Sequence, residues 1–150
     1  MKNSLILFTV VAFVAMAFTF NTKAPKPKHH AKTVTMGGIK FDKLRVEKAL
    51  KQAKDSGKLV FIDVHTTWCG PCKEMARTTF QSEEVGKVFN KKFVNLKIDA
   101  ENDADGADIS KTYSVNAYPT LLFINGDGKL VKKLVGKQSE EKLLSVANGL

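Results

Sequence analysis

Cysteine and histidine are scarce in this chain, and its first 33 residues hold no acid. Two cysteines stand in 150 residues. They lie at 69 and 72, too few and too close together to staple distant elements, which excludes a disulfide-framework fold. A zinc site around that pair would need two further ligands, and the chain offers only His29, His30 and His65, two of them adjacent in a basic segment, so redox use of the pair is favoured over metal. Residues 1–33 hold five lysines and no acid, so the rest carries 19 basic against 15 acidic residues, and more than half of the +9 formal charge lies outside it. A basic face for nucleic acid is therefore not expected. There are no internal repeats, and the longest apolar run, residues 5–20, is sixteen residues. As a helix it would reach about 24 Å, short of the ~30 Å hydrocarbon core of a membrane.

What that run does offer is a leader. Met1-Lys2-Asn3-Ser4 is short and positive, the apolar stretch follows, and Ala15-Met16-Ala17 is a small-x-small cleavage site. Residues 1–17 are expected to be a secretory signal peptide, with an uncleaved membrane anchor to about residue 20 as the alternative. No cysteine follows the run, so a lipoprotein anchor is excluded. Residues 18–36, rich in Lys, Pro and His, read as a basic flexible tether, and the His29-His30 pair reads as solvated rather than metal-binding. Residues 37–150 form the folded domain. The expected location is exported, periplasmic or extracytoplasmic, or tethered to the membrane by the uncleaved segment.

Within the domain the apolar pattern alternates between two periods. Val46, Ala49, Leu50 and Ala53 recur at helical spacing, and Gly57 closes that helix. Residues 59–64 form a continuous β-branched run, the pattern of a strand buried on both faces. A loop from Trp68 enters a helix reaching to about Phe80, and Ser82 caps a short continuation through Phe89. Residues 93–98 read as a second buried strand, and an acidic loop, 99–108, leads to a helix over 109–113. Residues 120–124 and 129–135 read as strands joined by Asn125-Gly126-Asp127-Gly128, which has hairpin-turn chemistry. Ser139 caps a last helix bearing Leu143, Leu144 and Ala147. This order predicts an α/β layer fold with a mixed central sheet flanked by helices.

The chemistry sits at Trp68-Cys69-Gly70-Pro71-Cys72-Lys73, where a buried strand gives way to a helix. The first turn of a helix has unpaired N–H groups and the positive end of the dipole, which favour a thiolate over a thiol. In motifs of this spacing the first thiol falls from about 8.5 to about 7, which makes Cys69 the nucleophile. Cys72, one turn on, can attack a sulfur bonded to Cys69 and close a small ring. Gly70 and Pro71 shape the turn, proline being tolerated where its missing N–H would have been unpaired. Haem attachment needs histidine after the second cysteine, where Lys73 stands. A structural disulfide across so small a loop would stabilise little. Redox exchange is the reading that elimination and mechanism leave.

Trp68 to Lys73 resembles the active-site motif of the thioredoxin superfamily, and the resemblance runs from about Ile39 to the C-terminus. It is more similar to extracytoplasmic thioredoxin-like proteins, including the C-terminal domain of membrane thiol:disulfide interchange proteins, through residues 49–58, Lys73-Glu74-Met75 and Thr79-Phe80. The resemblance implies a thioredoxin-like fold and a Cys69–Cys72 redox disulfide. Asp63, six positions before Cys69, matches the family's buried carboxylate; burial would raise its pKa and let it accept the proton of Cys72. Pro119, after Tyr118, matches a cis-proline loop, and Gly136 a glycine lining the substrate groove, so that Trp68, Gly70, Pro71, Tyr118, Pro119 and Gly136 are the expected substrate-binding residues. The family's lysine near the buried aspartate is replaced by Asn95, Lys97 falling on a different position. His65 replaces a more usual aromatic before the motif and reads as an ordinary loop histidine.

The expected activity is protein-disulfide reduction. Disulfide-containing proteins are the substrates, a membrane electron donor restores the dithiol, and neither a bound cofactor nor a metal takes part. A monomer is expected. Oxidase or isomerase action on the same fold is the alternative, together with a non-redox peptide-binding or chaperone module using the Trp68–Pro119 groove. In the acidic loop, Glu101-x-Asp103-x-Asp105-Gly106 mimics half of a calcium loop, but the twelfth position is Thr112 where a bidentate Glu belongs. A solvated loop with helix-capping acids is the expectation there.

Overall fold

The computed structural model describes residues 37–150. The expected signal peptide and tether, with His29 and His30, lie outside them. Four strands, β1 (Leu59–His65), β2 (Phe93–Asp99), β3 (Thr120–Ile124) and β4 (Leu130–Val135), form one sheet in the order β2-β1-β3-β4. β1 runs parallel to β2 and antiparallel to β3, and β4 returns antiparallel beside β3. The fold is the expected thioredoxin-like α/β architecture, a mixed sheet flanked by helices.

The alternation of side chains along each strand divides the core into two. Val60, Ile62 and Val64 of β1 join Val94, Leu96 and Ile98 of β2 on one face, packed on Val46, Ala49 and Ala53 of α1 (Val46–Ser56) and on Ile109 of α4 (Gly106–Thr112). Phe61, Phe93, Leu121 and Phe123 point the other way, onto Met75 of α2 (Gly70–Arg77), Val85 and Phe89 of α3 (Glu83–Lys92), and Leu143 and Ala147 of α5 (Glu140–Gly149). Phe61 is fully buried and meets Phe89 edge-on, ring centroids 4.8 Å apart. Burying such a side chain contributes about 1.5–3 kcal/mol.

Between the strands the structure differs from the periodicity in two places. The expected continuation after Phe80 is a separate helix: the chain breaks at Thr78, makes a single 3-10 turn over Thr79–Gln81, and restarts at Ser82, whose hydroxyl accepts from the Val85 N–H. With its start fixed by that cap, α3 runs to Lys92 rather than Phe89. The fourth helix begins at Gly106, three residues before the first periodic apolar residue, because the backbone of Gly106 packs against the Asp99 and Ala100 carbonyls, where a Cβ would meet oxygen at 2.4 Å.

Helix α1 has no cap of its own at Arg45. The missing acceptor comes from sixty residues away, where Asp105 takes the Val46 N–H at 3.0 Å and a fork from the Arg45 guanidinium. The Arg45 bonds hold the Asp105 carboxyl below its ordinary range. Asp99, Glu101 and Asp103 of the same loop are likewise occupied within the protein. Asp99 accepts from the N–H groups of Glu101 and Asn102, Asp103 takes the N–H of Asp99, and Glu101 takes the indole of Trp68.

Candidate active site

β1 ends at His65. Four residues later the chain reaches Cys69, the N-cap of α2, in extended conformation (φ −71°, ψ 107°), and its Sγ accepts the N–H of Cys72 at 3.2 Å. Pro71 occupies the first turn. Cys69 and Cys72 are joined by a disulfide, Cα atoms 5.3 Å apart, and both are buried, whereas Trp68 beside them is 65% exposed. A donor N–H on the sulfur and the open end of a helix both favour a thiolate at Cys69 once the bond is reduced.

Asp63 of β1, six positions before Cys69, is fully buried, with no hydrogen-bond partner among the described residues. Burial pushes its carboxyl up, and the charges of Lys97 and His65 offset that only in part. The Lys97 ammonium stands 3.4 Å from Asp63 Oδ2 and 5.9 Å from the ring centroids of Phe41 and Phe80. The sequence suggests that Asn95 vacates the family's lysine position, but Lys97 follows it by two residues and so shares its strand face. It pairs in register opposite Asp63, and its long side chain covers the difference. Asn95 turns instead to the Lys40 carbonyl and Asn90. Lys97 is thus a site residue that sequence reasoning set aside, because the parallel β1–β2 register that sets it opposite Asp63 is not carried by any spacing in the sequence.

Behind the disulfide is a hollow of about 250 Å³ lined by His65, Thr66, Cys72, Lys73, Ala76 and Lys97. The resolving cysteine and the lysine that touches Asp63 therefore share one wall. The Thr66 hydroxyl is buried with no partner among the described residues. His65 ends β1, is half-buried and lines this hollow rather than standing in a loop.

The other expected residues gather on the outer side. Tyr118–Pro119 is a cis peptide, and the Tyr118 ring meets Trp68 edge-on at 5.8 Å. The N–H of Gly136 (φ 82°) donates to the Pro119 carbonyl at 2.8 Å, which brings the residue after β4 to the same place. Above Gly70 and Gly136 a Cβ would meet nothing within 4 Å. These two glycines leave open floor beside an apolar lip of Trp68 and Tyr118. The second residue missed in sequence is Glu101, assigned there to a solvated loop, both of whose carboxylate oxygens stand 3.1 Å from Trp68 Nε1.

A thioredoxin-like family model matches residues 42–126. A thioredoxin H-type of Fagopyrum esculentum is 34% identical over 97 residues, 65% of this chain and 77% of its own. Among solved structures, a provisionally assigned disulphide-isomerase of Bacteroides thetaiotaomicron is 47% identical, with a TM-score of 0.65 over 73% of this chain and 89% of its own. A Thermus thermophilus thioredoxin shares the fold at 20% identity, with a TM-score of 0.65 over 75% of this chain and 86% of its own.

Proposed function

Since the chain belongs to the thioredoxin-like family of thiol–disulfide oxidoreductases with a Cys69–Cys72 pair, we propose that it is an exported protein-disulfide reductase. The observation that carries this is Cys69 at the N-cap of α2, with Cys72 lining the same hollow as Lys97, the ion-pair partner of the buried Asp63. In the reduced chain the Cys69 thiolate attacks one sulfur of a substrate disulfide, forming a mixed disulfide and releasing the first substrate thiolate, which takes a proton from solvent. Cys72 gives its proton to Asp63 and attacks Cys69 Sγ. The second substrate sulfur leaves as a thiolate and takes a proton from solvent, Asp63 releases the proton it took, and the chain holds the disulfide: two electrons have passed to the substrate. A dithiol donor at the membrane returns them. Trp68, Tyr118, Pro119 and Gly136 receive an extended substrate segment by main-chain and apolar contact, tolerant of its sequence.

Insulin reduction tests the reading. Cys69→Ser abolishes turnover, and Cys72→Ser stops at a mixed disulfide visible by mass; unchanged turnover in both variants sinks the proposal. Equilibration with glutathione tests direction, with a potential near the −270 mV of thioredoxins expected (about) rather than the roughly −120 mV of strong oxidants. The 47% identity to the disulphide-isomerase structure favours isomerase action as the second reading. An isomerase would reactivate scrambled ribonuclease without added reductant and poise near about −180 mV. Export is tested by fractionation and by the mass of the exported chain, which loses residues 1–17 on cleavage.

A further inference from the structure

Glu101 lies in the loop after β2, and the exchange steps above make no use of it. Its carboxylate nonetheless reaches Trp68, both oxygens 3.1 Å from the indole nitrogen. An indole as exposed as this one would otherwise turn between rotamers. Here its N–H is held by Glu101 and its ring by Tyr118, edge-on at 80°. The holder is itself held: the Glu101 N–H donates to Asp99 Oδ1 at 2.9 Å, and the Ala100 N–H to the His65 carbonyl at 2.8 Å. A chain of fixed contacts thus runs from the loop through Trp68 to the cis peptide, and it forms the lip beside Cys69.

The same carboxylate sets the charge of that lip. Glu74 is matched by Lys137 at 2.8 Å, and Lys73 and Lys97 line the hollow behind Cys72. Trp68, Gly70, Pro71, Tyr118, Pro119 and Gly136 carry no charge. We propose that Glu101 is a positioning and specificity-determining residue of this site: it fixes Trp68 as the apolar lip, and its carboxylate favours disulfides whose cysteines are flanked by Lys or Arg over those flanked by Asp or Glu. The inference rests on the site being a thiol–disulfide exchange centre. At a separation of several ångströms in near-aqueous dielectric one charge discriminates about three- to fivefold, and salt weakens it.

The test uses the full chain, reduced, with three synthetic peptide disulfides whose cysteines are flanked by Lys, Ser or Glu. Trp68 is the single tryptophan of the sequence, so emission and its anisotropy report on this lip alone. The parent chain is expected to show kcat/KM about three- to fivefold higher for the Lys-flanked than for the Glu-flanked peptide at low salt, the ratio falling as salt is added. Glu101→Gln removes that preference but keeps the Ser-flanked rate and the Trp68 anisotropy, because an amide oxygen still accepts the indole N–H. Glu101→Ala loses the preference, raises KM for the Ser-flanked peptide with kcat little changed, and lowers the anisotropy. A preference that survives in Glu101→Gln, or an Ala variant with parental anisotropy and KM, overturns the inference. A folded parent chain that turns over none of the three peptides refutes the exchange reading as well.

Discussion

At Asp63 two influences of opposite sign meet. Burial disfavours the carboxylate, while Lys97, at 3.4 Å, and His65 favour it; burial wins and the carboxyl titrates above its ordinary range. The folded chain therefore binds this proton more tightly than the unfolded chain. Its contribution to stability is full below the ordinary carboxylate pKa of about 3.9 and is lost as pH rises through the folded value. Asparagine cannot ionise. Asp63→Asn in the oxidised chain is accordingly expected to be more stable than the parent at pH 8, the difference closing as pH falls toward 4, measured by urea unfolding across that range. A parent chain that instead gains on the variant with rising pH would mean that the Lys97 contact outweighs burial. With its proton acceptor gone, the reduced variant should resolve mixed disulfides about 10²-fold more slowly, the lower end for general acid–base catalysis.

The elements show which parts of the fold are local and which are not. Val46, Ala49 and Ala53 were legible as a buried helix face, and residues 59–64 as a doubly buried strand, because each pattern depends on neighbours in sequence. The cysteine turn was legible for the same reason. What was not legible joins distant residues. Lys97 meets Asp63 through the register of two parallel strands, Glu101 meets Trp68 across 33 positions, and Asp105 caps α1 across 59. No period or spacing carries such information. The cap gives a direct measure of one of these links: Asp105→Ala removes the acceptor for the Val46 N–H together with the Arg45 fork. It should cost about 1–2 kcal/mol in denaturant unfolding. Amide exchange in the first turn of α1 should accelerate more than exchange in β1. Equal acceleration throughout would assign the loss to the sheet and not to the helix start.

On the scale of the whole molecule, more than half of the excess positive charge lies apart from the core along the chain. Both apolar clusters draw their residues from between Ile39 and Ala147, and the site from between Asp63 and Gly136. Removing residues 1–36 takes away five lysines and no acid, lowering the formal charge from +9 to +4. If the basic leader and tether serve location and not folding, a chain beginning at Gly37 should unfold within about 0.5 kcal/mol of the full chain, the range of changes that touch no core contact. It should also reduce insulin at the same rate. The start of that shortened chain is the sensitive point. Gly37 and Gly38 lie against Gly86 of α3, where a Cβ on residue 86 would come within 1.8 Å of the Gly37 carbonyl oxygen, and the Ile39 N–H donates to the Phe80 carbonyl at 2.8 Å. A chain beginning at Asp42 forfeits these contacts, along with those of Asn90 with Lys40 and Gly38, and should be clearly less stable than the one beginning at Gly37. Equal stability of the two shortened chains would show that the 37–41 segment only lies on α3, and a large loss already at Gly37 would place part of the folding energy in the leader and tether.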